Sequence, residues 1–137
     1  MIKETRCQME TEELACQLAK EAKVGDIYCL IGDLGVGKTA FTKGFARGLD
    51  IDEHITSPTF TIINEYLGRL PLYHFDVYRV ADADEMDYIG AEEYFYSGGV
   101  CLIEWADLIK DIIPSNAVWI RIGKDLEKGP DYRRITI

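Results

Sequence analysis

A single three-layer α/β domain, built on a mixed and mostly parallel sheet with an antiparallel hairpin, is the fold this sequence predicts. Three observations carry that expectation. Short apolar runs of strand type alternate with stretches of helical periodicity along most of the chain. The segment Gly32-Asp33-Leu34-Gly35-Val36-Gly37-Lys38-Thr39 has the spacing G-x-x-x-x-G-K-[ST], which requires a strand before it and a helix after it. The length of 137 residues suffices for one buried core without disulfide or metal staples.

The elements follow in order. Thr11 is placed to cap a helix running to about Ala22, with Leu14, Ala15, Leu18, Ala19 and Ala22 as its apolar stripe and Glu12 and Glu13 near its positive end. Gly25-Asp26 then turns the chain into a first core strand, Ile27 to Ile31. After the glycine-rich loop, Thr39 to Leu49 reads as a helix. Ala40, Phe41, Gly44 and Phe45 share one side of it, Gly48 fits its end, and Gly44 marks close packing against the sheet. Two β-rich runs, Phe60 to Tyr66 and Leu72 to Tyr78, are separated by Gly68-Arg69-Leu70-Pro71 and predict an antiparallel hairpin. Asp84 opens a helix through about Tyr94, with Asp87 as a weaker capping partner. Val100-Cys101-Leu102-Ile103 is continuously apolar, as in a strand covered on both faces. A short helix over roughly Ala106 to Ile112 stops before Pro114, and strands over Ala117 to Ile122 and Arg133 to Ile137 complete the domain.

The loop between the first core strand and its helix is suited to a polyphosphate. Gly32, Gly35 and Gly37 lack Cβ atoms, so backbone N–H groups can turn inward around the phosphates. The following helix adds unpaired first-turn N–H groups and the positive end of its dipole. Lys38 supplies a point charge for the β- and γ-phosphates, and Thr39 a hydroxyl for Mg²⁺. The domain is therefore of the P-loop NTPase type.

The formal net charge of −9 argues against a broad nucleic-acid-binding surface, and no cationic cluster exceeds Arg133-Arg134. Cys7, Cys16, Cys29 and Cys101 form no C-x-x-C pair and have no close His ligand, which suits reduced thiols in a cytosolic protein. The start Met1-Ile2-Lys3-Glu4 has no apolar signal region, and no run approaches the length of a membrane span. A soluble, cytoplasmic protein is expected.

Phosphoryl transfer also needs a carboxylate at the end of a neighbouring strand. Asp76, after Leu72-Tyr73-His74-Phe75, and Glu104, after Val100-Cys101-Leu102-Ile103, both qualify, and the more buried character of the second strand favours Glu104 for the metal. Two roles are open to Trp105, stacking on a base or packing the core, and burial is the commoner. Ser57 and Thr59 lie in a Pro-containing loop that suits either a γ-phosphate sensor or a plain turn. Arg79 either neutralises charge during transfer or pairs with Asp82 or Asp84, and His74 reads as a hydrogen-bonded structural histidine rather than a base.

Four segments occur together in order: the phosphate loop, Ser57-Pro58-Thr59-Phe60, His74-Phe75-Asp76-Val77-Tyr78-Arg79 and Ile103-Glu104-Trp105-Ala106. With them the chain resembles the TsaE (YjeE) family, the bacterial ATPases of the pathway that makes N6-threonylcarbamoyladenosine (t6A) in tRNAs. The resemblance runs from the Thr11 helix to the Arg133-Arg134 strand. It implies binding of ATP and Mg²⁺, slow hydrolysis by the isolated protein, and association with the carbamoyl transferase TsaD and its paralogue TsaB. By position it gives Lys38 and Thr39 to phosphates and metal, makes Asp76 the Walker-B-like acid, and adds Glu104 to the Mg²⁺ site. The Ser57 to Phe60 loop corresponds to the family's switch region, and Trp105 lies beside the nucleotide. Lys38, Asp76 and Glu104 are thus the expected catalytic residues, and Thr39, Glu104 and Asp76 the expected metal site. Thr11, Asp33, Leu34, Gly35, Val36, Gly37, Lys38, Thr39, Ala40 and Trp105 are the expected nucleotide contacts. ATP turnover in this family is thought to reset the TsaD–TsaB assembly, so the partners carry the tRNA-modifying chemistry.

Two other functions compete. A small-molecule kinase of the same loop class usually needs a second substrate pocket and an arginine-rich lid, neither of which the sequence offers. A nucleotide-dependent binding module without hydrolysis is disfavoured by the pairing of Asp76 with Glu104.

Overall fold

A computed structural model describes residues 1–32, 37–56, 63–78 and 90–137. Strand β1 (Ile2–Thr5) precedes helix α1 (Gln8–Lys20), and β2 (Ile27–Ile31) leads to α2 (Lys38–Gly48). The hairpin β3 (Ile63–Leu67) and β4 (Pro71–Asp76) is followed by a short helix α3 (Ala91–Phe95) and β5 (Val100–Glu104). A 3-10 segment (Ala106–Ile112), β6 (Val118–Gly123), a 3-10 turn (Leu126–Lys128) and β7 (Arg133–Thr136) close the chain.

The seven strands form one sheet in the order β1-β7-β6-β2-β5-β4-β3. Its four central strands, β6-β2-β5-β4, run parallel, β7 and β3 run against them at the margins, and β1 pairs antiparallel with β7. β5 is buried along its whole length, as a strand between two parallel neighbours should be.

Alternation along the strands divides the core into two layers. Tyr28, Leu30, Leu72, Leu102 and Ile120 meet Ala15, Ala19, Phe41, Phe45 and Leu49 of the α1/α2 layer. Ile27, Cys29, Phe75, Cys101 and Ile103 meet Phe95, Ala106 and Ile109 on the opposite face. Cys16, Cys29 and Cys101 are buried free thiols. Burial pushes the Cys29 and Cys101 thiols up to about 12, so both act as small hydrophobes rather than nucleophiles.

Helix α1 starts earlier than Thr11. Cys7 is its N-cap residue, and the Glu10 carboxylate accepts a hydrogen bond from the Arg6 backbone N–H at 2.6 Å, stabilising the first turn from within. Thr11 sits one turn inside, buried, with its hydroxyl 2.7 Å from that of Thr5. At the other end Arg69, from the β3–β4 turn, donates to the carbonyls of Ala19 at 2.8 Å and Ala22 at 3.3 Å. This adds a charged donor at the carbonyl end of the helix and ties the hairpin to α1.

Gly44 packs against a helix, not the sheet. A Cβ there would lie 2.6 Å from the Glu12 Cα, and one on Gly48 would lie 2.6 Å from the Ala19 Cβ. Side-chain-free positions let α1 and α2 touch backbone to backbone, and the pairing of Glu12 with Gly44 and Ala19 with Gly48 shows that they run in the same direction. The short helix after β5 is 3-10 rather than α and is kinked at Ile109. The expected helix start at Asp84 and Asp87 lies outside the described residues, as do Phe60, Thr61 and Ile62 of the expected hairpin.

Gly44→Ala should lower the unfolding free energy by about 1–3 kcal/mol in urea titration, because a backbone clash outweighs the roughly 1 kcal/mol gained in helix propensity. A variant as stable as the parent would show that the seam can open without strain.

Candidate functional site

Because β2, β5 and β4 are parallel neighbours, their C-terminal ends lie on one edge of the sheet. Leu30 faces Glu104 and Glu104 faces Asp76 in the register. Asp76 and Glu104 share strand parity with Leu72 and Leu102, so both lie on the face covered by α1 and α2. That is where α2 begins.

The turn into α2 is made by Gly37, whose φ of 103° is a left-handed conformation that a side chain would strain. Lys38 follows as the first residue of the helix and is buried. Its ammonium donates to the Gly32 carbonyl at 2.6 Å and lies 3.8 Å from the centroid of the Trp105 ring. The cation–π contact and the carbonyl replace part of the hydration the ammonium loses. Thr39 is exposed in the same first turn, and Ala40 is buried behind it.

Trp105 adopts φ 63°, an unusual backbone conformation for a residue with a side chain, immediately after Glu104. Its N–H donates to the Leu30 carbonyl at 3.1 Å, and its ring packs against Tyr78 with centroids 4.7 Å apart. Half-buried, it is neither a plain core residue nor an open platform: Lys38 and Tyr78 both contact its ring.

The two carboxylates differ. Glu104 is buried, and its Oε2 lies 2.5 Å from Nε2 of His74. Asp76 is half-buried and accepts from the Tyr78 backbone N–H at 3.1 Å. Loss of solvation pushes the Asp76 carboxyl above its ordinary value of 3.8. The Tyr78 hydrogen bond opposes this, the charge of Glu104 adds to it, and His74 and Lys38 act weakly against it. Two acids facing each other in register, one unfavourably ionised, beside a buried ammonium and an exposed hydroxyl make a donor set that fits Mg²⁺. Added positive charge would relieve both the desolvation and the repulsion. Among the described residues no group of three His, Cys, Asp or Glu side chains encloses a metal by itself. A hard cation that keeps waters and shares phosphate oxygens needs no such cage.

The structure thus brings Gly37, Lys38, Thr39, Ala40, Asp76, Glu104 and Trp105 to one edge. Asp33, Leu34, Gly35 and Val36 lie outside the described residues, as do Ser57-Pro58-Thr59-Phe60 and Arg79. Thr11 is in the first half of α1, whose N-terminal end points the same way as that of α2, but its hydroxyl is turned to Thr5. Two nearby residues are not among the expected site residues. His74 is bonded to Glu104, as a structural histidine would be, but its partner is a site carboxylate. Arg133 of β7 places its Nε 3.8 Å from where a Cβ on Gly37 would stand, and its guanidinium donates to the carbonyls of Pro130 and Tyr132.

A central parallel strand running into Gly32, a lysine at the head of the next helix and acids on the adjoining strand ends sit in a single α/β domain with a mixed, partly parallel sheet. Within that class, the family described as "Threonylcarbamoyl adenosine biosynthesis protein TsaE" matches residues 5–135, and the chain belongs to it. It is 52% identical over 128 residues to the tRNA threonylcarbamoyladenosine biosynthesis protein TsaE of Bacillus subtilis strain 168, covering 93% of this chain and 78% of that protein. The protein of the same description from Treponema pallidum is 42% identical over 118 residues, covering 86% and 87%. The crystal structure of Bacillus subtilis YdiB superposes with a TM-score of 0.80 at 46% identity, covering 98% of this chain and 82% of that one. The family takes part in t6A biosynthesis, which is consistent with a nucleotide-binding role and with action alongside other Tsa proteins. No helix among the described residues is long and apolar enough to cross a membrane.

Asp76→Asn should raise the melting temperature of the metal-free protein near neutral pH. The folded-state value of Asp76 lies above the unfolded one, so its contribution falls as pH rises from 3.8 through the raised value and is most unfavourable above it. The variant should lack that decline. A melting curve at pH 7 lower than the parent's would contradict this account of Asp76.

Proposed function

We propose that the chain acts as a single-domain, Mg²⁺-dependent ATPase, residues 1–137, and is the ATP-binding and ATP-hydrolysing subunit for t6A modification of tRNA. It works on the TsaD–TsaB complex in the cytoplasm. The observation that carries this reading is the convergence of the Gly37-Lys38 turn, Thr39, Asp76 and Glu104 on one edge of a TsaE-family fold. In this reading the loop amides of Asp33 to Gly37 and the first turn of α2 hold the triphosphate. Lys38 leaves Gly32 for the β- and γ-phosphates, and Trp105 borders the nucleotide. Thr39, Asp76 and Glu104 would hold Mg²⁺, which would supply neutralisation of the charge that builds on the phosphate oxygens. The acids also orient the attacking water: its oxygen bonds to the γ-phosphorus as the bond to ADP breaks, and its proton leaves with the phosphate product or to solvent. The net charge of −9 leaves tRNA contact to the partners.

The decisive experiment is a pull-down of the chain with ATP or a non-hydrolysable analogue, followed by ATPase assays with and without the captured proteins. TsaD and TsaB in the captured set and turnover altered by them are expected. Stoichiometric phosphoryl transfer to a small metabolite, with no free phosphate, would favour a kinase instead.

Lys38→Ala should weaken ATP binding by roughly 10- to 100-fold, the loss of a charge-assisted contact of about 1.5–3 kcal/mol, and nearly abolish turnover. Unchanged affinity measured by calorimetry would remove Lys38 from the site. Glu104→Ala should reduce Mg²⁺-dependent turnover far more than nucleotide binding, and equal turnover in variant and parent would exclude Glu104 from the chemistry.

A further inference from the structure

His74 lies two residues before Asp76 on β4, on the face that α1 and α2 cover. It stands opposite Leu102 in the register, one diagonal step from Glu104. The side chains of His74 and Glu104 are only 1% and 5% exposed, and Nε2 lies 2.5 Å from Oε2. The other ring nitrogen, Nδ1, is buried and has no hydrogen-bond partner among the described residues.

That asymmetry is informative. A buried imidazole retained for packing alone costs more desolvation than an apolar side chain of similar size in the same place. One retained to complete a local network would have both nitrogens paired. Among the described residues the one polar contact of the ring is to one oxygen of Glu104. The bond fixes a side chain that otherwise rotates about three torsions, and it engages only Oε2, leaving the second oxygen for another partner.

We propose that His74 is a positioning residue, holding the Glu104 carboxylate in one orientation so that its second oxygen is presented to the metal ion or to a water on it. The inference rests on the reading of Glu104 as part of the Mg²⁺ site. Partners that orient metal-binding carboxylates in this way typically change metal affinity or activity by about 10- to 100-fold when removed. A histidine serving only to satisfy a buried carboxylate would instead change stability and nothing else.

The test uses the full chain with ADP bound, titrated with Mn²⁺ as the metal probe and followed by electron paramagnetic resonance, with ADP affinity in EDTA measured in parallel. His74→Leu should weaken Mn²⁺ binding by about 10- to 100-fold while ADP affinity in EDTA stays at the parent value. His74→Gln, whose amide N–H can reach the same oxygen, should recover most of the loss. The double variant with Glu104→Gln should bind Mn²⁺ no more weakly than Glu104→Gln alone, because the histidine acts only through that carboxylate. If His74→Leu does not fold, His74→Gln against the shorter His74→Asn decides, with Asn expected to be the weaker. Weakened Mn²⁺ binding in Glu104→Gln but parent-like binding in His74→Leu, or in Asn where Leu is unfolded, would overturn the positioning role alone. Parent-like Mn²⁺ binding in Glu104→Gln would overturn the metal-site reading and this inference with it.

Discussion

The register in which β2, β5 and β4 lie side by side is the constraint behind everything at the loop edge. Parallel strands put their C-terminal ends on the same side, so Gly32, Glu104 and Asp76 meet although they are far apart in sequence. The same register sends Glu104 into the α1/α2 layer on a strand that is otherwise wholly apolar. A slip of β5 by one residue would turn Glu104 to the other face, beside Phe75 and Phe95, where neither Lys38 nor His74 could reach it. The apolar residues of β5 thus do two things: they bury the centre of the sheet, and they fix which side the acid emerges on.

The environment of the edge is built from groups that are uncomfortable by themselves. A buried ammonium rests on a carbonyl and an indole face, a carboxylate is held partly out of water beside another, and a tryptophan takes a left-handed backbone conformation. Each raises the free energy of this edge, and each is tolerated because the core beneath it is dense and apolar. Such concentrations of strain and desolvation are common where a ligand is to be held, since the ligand relieves them.

Much of this was legible in the sequence, for identifiable reasons. The strands β2 and β5 are apolar runs bounded by turn residues, and the phosphate-loop spacing fixed where α2 starts. The hairpin turn and the final pair of strands were marked by Gly and Pro. What escaped depended on partners distant in the chain. Ile2 to Thr5 has too little apolar alternation to announce a strand, and β1 exists because β7 offers an edge. Thr11 looked like a cap, but Glu10 stabilises the first turn and Thr5 takes the threonine hydroxyl. Gly44 signals a close approach, but the expected neighbour, the sheet, is in fact α1. The bond between His74 and Glu104 needs the register of two strands, 30 residues apart, before it can be seen.

The glycine seam between α1 and α2 has an electrostatic consequence. Helices pressed together in the same direction bring two positive poles to neighbouring positions, where a single helix would offer one. A protein carrying nine excess negative charges repels a polyanion at long range, but ions in solution screen that repulsion beyond about 8 Å. Inside that distance the twin poles and Lys38 oppose the charges of Asp76 and Glu104, so the sign of the whole chain does not by itself decide what this edge attracts.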